Sequence, residues 1–104
     1  MSLKQEQKKR LRTIGHKLNP IVMIGEKGLT DTVMAEINRA LDDHELIKVK
    51  VVAEDREDKK AMIEELVAET GAELVQTIGH IALLLRKSDE PNPKLSNIIR
   101  FNHL

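Results

Sequence analysis

The chain has 104 residues, 40% of them hydrophobic and 33% charged, and no net charge, with 17 basic residues against 17 acidic. That is enough for one globular domain with a single core, and the balance is unlike that of a disordered segment. There is no cysteine and one aromatic residue, Phe101, which excludes disulfides, thiolate nucleophiles, cysteine-held metals and a sheet that stacks bases on aromatic rings.

Ser2 to Leu18 reads as a helix that Ser2 can cap, with Leu11, Ile14 and Leu18 on one side. Lys4, Lys8 and Arg12 step by four residues along another side, flanked by Lys9. Asn19-Pro20 stops this helix, because the residue before proline is pushed out of the α region. Ile21 to Ile24 is a continuous apolar run between Pro20 and Gly25, which suits a buried strand. The loop Gly25-Glu26-Lys27-Gly28 follows, and a second helix opens with Thr30 or Asp31 as its cap. Its stripe is Val33, Met34, Ile37, Ala40 and Leu41, and it ends near Asp43-His44.

Leu46 to Val52 alternates, with Ile47, Val49 and Val51 facing one way and Lys48 and Lys50 the other. The pattern predicts a strand with one covered face and one wet, basic face. A third helix runs from about Asp55 to Thr70, with acids in its first turn, Met62, Ile63, Leu66 and Val67 inside, and Gly71 past its end. Glu73 to Ile78 and His80 to Arg86 read as two strands hinged at Gly79. Residues 1–87 form the domain and 88–104 a tail, marked by Pro91-Asn92-Pro93, that Ile98, Ile99 and Phe101 can dock. The order α-β-α-β-α-β-β predicts a compact α/β fold with a four-stranded mixed sheet.

Charge is segregated along the chain. Residues 1–28 hold seven basic and two acidic side chains, 29–75 hold six and thirteen, and 76–104 hold four and two. Such a chain can turn a positive face to phosphates, or carry nothing more than solvated helix faces. The histidines at 16, 44, 80 and 103 show no metal-ligand spacing, and no cofactor or metal is expected. The longest apolar run near the N-terminus, Ile21 to Ile24, is too short for a leader or a span, so a cytoplasmic location away from membranes is expected.

A strand, a Gly-x-x-Gly loop and a helix start together suit close approach to a sugar-phosphate backbone. Glycine leaves no Cβ in the way, helix-start N–H groups favour an anion, and Lys27 sets a cation at the tip. The loop lacks the Lys-Ser/Thr ending of a phosphate-binding P-loop and the third glycine of a dinucleotide fingerprint. Glu26 is the residue that fits a phosphate clamp least.

The run Leu18-Asn-Pro-Ile-Val-Met-Ile-Gly-Glu-Lys-Gly-Leu-Thr30 resembles the signature of the CRM (chloroplast RNA splicing and ribosome maturation) domain. So do His44-Glu-Leu-Ile-Lys-Val-Lys-Val51 and Thr70-Gly-Ala-Glu-Leu-Val-Gln-Thr-Ile-Gly79, and the likeness spans roughly residues 3 to 87 in its stand-alone bacterial form. The resemblance implies a fold akin to the C-terminal domain of bacterial initiation factor three. It also implies binding to ribosomal RNA in precursors of the large (50S) ribosomal subunit. The expected RNA-binding residues are Gly25, Glu26, Lys27 and Gly28, with Lys4, Lys8, Lys9, Arg12 and Lys17 of the basic helix and, as a further pair, Lys48 and Lys50. Glu54 to Asp58 is the one dense acidic cluster, and helix dipole and solubility explain it without catalysis. The expectation is a monomeric binder rather than an enzyme. Its rival is a protein-interaction module using the acidic third helix or the tail.

Overall fold

The computed structural model describes residues 4–103, so the expected Ser2 cap lies outside the described residues. Helix α1 spans Gln5–Gly15. Strand β1 is Pro20–Ile24, helix α2 Asp31–His44 and strand β2 Leu46–Val51. Helix α3 covers Arg56–Thr70, strands β3 and β4 are Glu73–Ile78 and Ile81–Leu85, and a short helix α4 spans Asn97–Arg100. The mixed sheet has the order β1-β2-β4-β3, with β1 parallel to β2 and β4 antiparallel to both its neighbours. The α2 crossover permits the parallel pair, and a tight turn at Gly79 (φ 55°) permits the hairpin.

Both faces of the sheet carry helices. On one, Ile37, Ala40 and Leu41 of α2 and Ile63 and Leu66 of α3 pack on Val22, Ile24, Ile47, Val49, Val51, Ala82 and Leu84. Both helices start on the caps their sequences offer. Thr30 Oγ1 accepts from Val33 N–H at 3.2 Å, Asp55 Oδ1 accepts from Asp58 N–H at 2.8 Å, and Gly71 closes α3 in the left-handed region. The second face is smaller: Leu11 and Ile14 of α1 cover Leu46, Val75, Leu83 and Leu85, with Leu18, Ile98 and Phe101 at the margin.

Three expectations need correction here. Helix α1 ends at Gly15 rather than Leu18. Lys17 and Leu18 N–H turn back to the carbonyls of Ile14 and Gly15, at 2.9 and 3.0 Å, in a tighter turn before Pro20. The run at β1 is not buried throughout: Val22 and Ile24 are, but Ile21 is 49% and Met23 59% exposed, because β1 is an edge strand whose second face α1 does not reach. The Lys48/Lys50 face is not uniformly wet. Lys50 is exposed, while Lys48 is half-buried with its Nζ donating to the Leu18 carbonyl at 3.2 Å.

Residues beyond the hairpin are tied to the sheet by Glu45, which is only 5% exposed and has a φ of 61°. Its carboxylate accepts from Ser96 Oγ and from Ser88 N–H, each at 2.7 Å, and its carbonyl accepts from Arg86 N–H at 2.8 Å. Next to it, Asn97 Nδ2 donates to the Leu46 carbonyl at 2.7 Å. Arg86 is spent on structure as well, donating to Asn38, Asp42 and the Thr70 carbonyl. Glu45→Ala is expected to lower stability by about 2–3 kcal/mol, because one buried and one half-buried donor lose their acceptor. Glu45→Gly loses the same bonds but relieves the positive φ, so urea unfolding should place it about 1 kcal/mol above the alanine variant.

Candidate nucleic-acid interface

The Gly25–Gly28 loop leaves the C-terminal end of β1 at the edge of the sheet. Gly28 N–H donates to the Gly25 carbonyl at 2.9 Å, which closes a tight turn with Glu26 and Lys27 exposed at its tip. Gly28 then takes φ 73°, and its carbonyl accepts from Thr30 N–H at 3.0 Å. Two residues, Leu29 and Thr30, thus separate the loop from the first turn of α2. Neither glycine has an atom within 4 Å of where a Cβ would sit, so the loop surface is open to a backbone drawing near.

The loop divides two unlike surfaces. On its α3 side lies a cleft of about 760 Å³ bounded by Glu26, Glu54, Asp58 and Glu65 over Leu29, Val52, Ala61 and Met62. No basic side chain lines it, and Lys27 is not part of its wall. Glu26 therefore belongs to the acidic side. On the other side of the sheet, the half-face beyond α1 carries Lys48 and Lys50 and no carboxylate among the strand residues Ile21, Met23, Gln76, Ile78, Ile81 and Leu83.

The expected cations do not gather at one point. Lys17, just past α1, shares a hollow with Leu18, Ile21, Lys48 and Arg100 toward β1. Arg10 faces Ile98 of α4 across Leu85. Lys8 and Arg12 lie about 200° around the helix from Arg10, hence on the flank away from α4, toward β3. Lys9 is exposed on the outer side of α1, and Lys4 is its N-cap residue, whose N–H donates to Gln7 Oε1 at 3.1 Å. The loop and the Lys8/Arg12 flank thus stand at opposite edges of the sheet and toward opposite ends of its strands. Reading α1 alone misses what lies between them, the exposed side chains of Met23 and Ile78. The period-two pattern marks their side of each strand but not that this half of it stays bare.

Among the described residues, no group of three or more His, Cys, Asp or Glu side chains is placed to hold a metal ion. No helix among them is long and apolar enough to cross a membrane. The acids at the start of α3 include one with a structural task, the Asp55 cap.

Residues 3–86 match the sequence pattern of the CRS1/YhbY (CRM) domain. A Pseudomonas aeruginosa protein named a probable RNA-binding protein is 52% identical over 101 residues, 97% of either chain. A Haemophilus influenzae RNA-binding protein is 52% identical over 94 residues, 90% of this chain and 95% of its own. Among solved structures, the Staphylococcus aureus protein SAV1595, described as a candidate RNA-binding protein, superposes with a TM-score of 0.74 at 38% identity, covering 86% of this chain and 93% of that one.

The two loop glycines differ in what they tolerate. Gly28→Ala is expected to lose about 1–2 kcal/mol to its positive φ. Gly25→Ala should be neutral, or stabilising by up to about 1 kcal/mol through the unfolded chain. Urea denaturation of the two variants measures the difference.

Proposed function

Because the chain belongs to the CRS1/YhbY (CRM) domain family, we propose that it binds RNA, holding the sugar-phosphate backbone with the Gly25–Gly28 loop and the cations on the α1 side of the sheet. The observation that carries this reading is the division of charge at the loop. Glu26 turns to the acidic cleft on α3, while the opposite half-face offers Lys48 and Lys50 with no carboxylate among its strand residues. A polyanion approaching the loop is thereby repelled from one side and drawn to the other. Relatives named as RNA-binding proteins support RNA as the ligand class.

The fuller proposal takes its setting from the family. The RNA is ribosomal, carried in precursors of the large subunit, and the chain acts there as a cytoplasmic monomer that assists assembly by binding rather than by catalysis. Phosphate contacts give affinity without base identity, so the target is set by RNA shape or by accompanying proteins. Co-sedimentation with immature large subunits in a cell lysate is the expected result; its absence would remove the ribosomal setting while leaving RNA binding in place.

A second reading is favoured by one observation, the cleft beside α3 with four carboxylates around an apolar floor. It would make the chain a docking module for a basic protein segment. Salt titration separates the two surfaces when the ligand is RNA. If Lys8, Arg12, Lys17, Lys27 and Lys50 each engage a phosphate, the logarithmic salt slope is about −3.5, and affinity falls about a hundredfold between roughly 50 and 200 mM salt. Lys27→Glu should weaken binding and flatten that slope with the fold intact. RNA binding indifferent to salt would contradict the backbone clamp.

A further inference from the structure

Met23, Lys50, Ile81 and Ile78 are consecutive partners across all four strands, one row of the sheet running from edge to edge. All four side chains project on the α1 side, since their neighbours Val22, Ile24, Val49, Val51 and Ala82 fill the opposite core. Yet α1 stops short of this row. Met23 is 59% and Ile78 58% exposed, Lys50 is exposed, and Ile81 is half-buried. The adjacent row, Lys48, Leu83 and Gln76, is partly roofed by the end of α1, where His16 shares a small hollow with Lys48, Gln76, Ile78, Ile81 and Leu83. Met23 stands two residues before Gly25, so the row begins where the loop begins.

Large aliphatic side chains on a bare sheet face need an explanation when the same strands bury Val22, Ile24, Val49, Val51 and Ala82 on the other. The row joins the proposed backbone clamp at one end, with a lysine inside it, no carboxylate, and His16 at the end of α1 beside it. An occupant must be apolar where it meets methyl groups and anionic where it meets lysines. Unpaired nucleotides satisfy both demands, offering flat base faces beside phosphates. A duplex does not, because its base faces are already stacked inside. We infer that the Met23–Lys50–Ile81–Ile78 row is the floor on which an unpaired stretch of RNA lays its bases while the Gly25–Gly28 loop and Lys50 hold the backbone. This rests on the RNA-binding reading and deepens it, naming single-stranded RNA as the ligand class. The absence of aromatic rings weakens each base contact but does not abolish it, because dispersion and loss of apolar hydration need only a flat apolar partner. Gln76 and His16 are the polar side chains beside the row, so base preference should be slight.

The test uses the full chain, a short fluorescent oligoadenylate and an RNA duplex of equal phosphate count. The parent should bind the oligoadenylate more tightly than the duplex. Met23→Ser combined with Ile78→Ser removes two mostly exposed side chains, and a thermal melt should confirm the fold. The double variant should bind oligoadenylate about tenfold more weakly with an unchanged salt slope, and the duplex as the parent does. In NMR spectra of the parent complex, adenine protons should show contacts to the Met23 and Ile78 methyl groups. Equal oligoadenylate affinity in parent and double variant, or a bound complex without those contacts, would overturn the inference but leave the RNA-binding reading standing. A parent that binds neither RNA would overturn both. If the parent sediments as a dimer that the double variant dissociates, while RNA affinity holds, the row is a self-interface and the inference fails.

Discussion

Gly15 lets α1 settle onto β4 so closely that a Cβ there would lie 2.8 Å from a Leu83 methyl carbon. The organisation of the second sheet face follows from that approach. The helix reaches Leu83 and ends there, and the chain turns through Lys17 and Leu18 toward Pro20. An eleven-residue helix is about 16 Å long, comparable with the strands, but its end rests on Leu83 at the middle of β4, so the rows beyond stay bare. What it covers becomes the smaller core with α4. What it leaves becomes a bare half-face, bounded by the loop and by the turn after α1.

The same constraint explains how opposite charges coexist in a chain with no net charge. The acids of α3 and Glu26 gather around a cleft on one side of the loop, while Lys48, Lys50 and Lys17 lie toward the other. The sheet separates them, so the field at the loop has a direction even though the total charge is zero. Glu26, which fits a phosphate clamp least when the loop is read as a string, belongs to the acidic cleft once the turn is folded. Lys27, beside it in sequence, lies outside that wall.

Much of the architecture was legible because burial imposes a period. The stripes of α2 and α3, the alternation of β2, the Thr30 cap and the Gly71 stop all announce themselves. Other features depend on contacts that no local pattern encodes. Glu45 looks like a surface acid at a helix end, yet it is buried, because Ser88 and Ser96, more than forty residues away, supply its donors. Lys48 alternates like a wet residue but finds the Leu18 carbonyl. Arg86 counts toward the basic excess of residues 76–104 but is tied to α2 and the end of α3. The apolar run at β1 looks fully buried, and only the strand order shows that it is an edge with half its side chains bare. Of the candidate site, the open turn of the Gly25–Gly28 loop was legible in its glycine spacing. The bare half-face beside it was not, since an exposed methionine and a buried one read alike.

The most direct measurement is ultraviolet cross-linking of the full chain to single-stranded RNA, with the cross-linked peptides mapped by mass spectrometry. The expected adducts fall on the Ile21–Gly28 segment, on β2 around Lys50 and on the β3–β4 hairpin around Ile78 and Ile81. Cross-links concentrated instead on α3, around Arg56 to Glu65, would place the RNA on the acidic side of the loop and contradict the account.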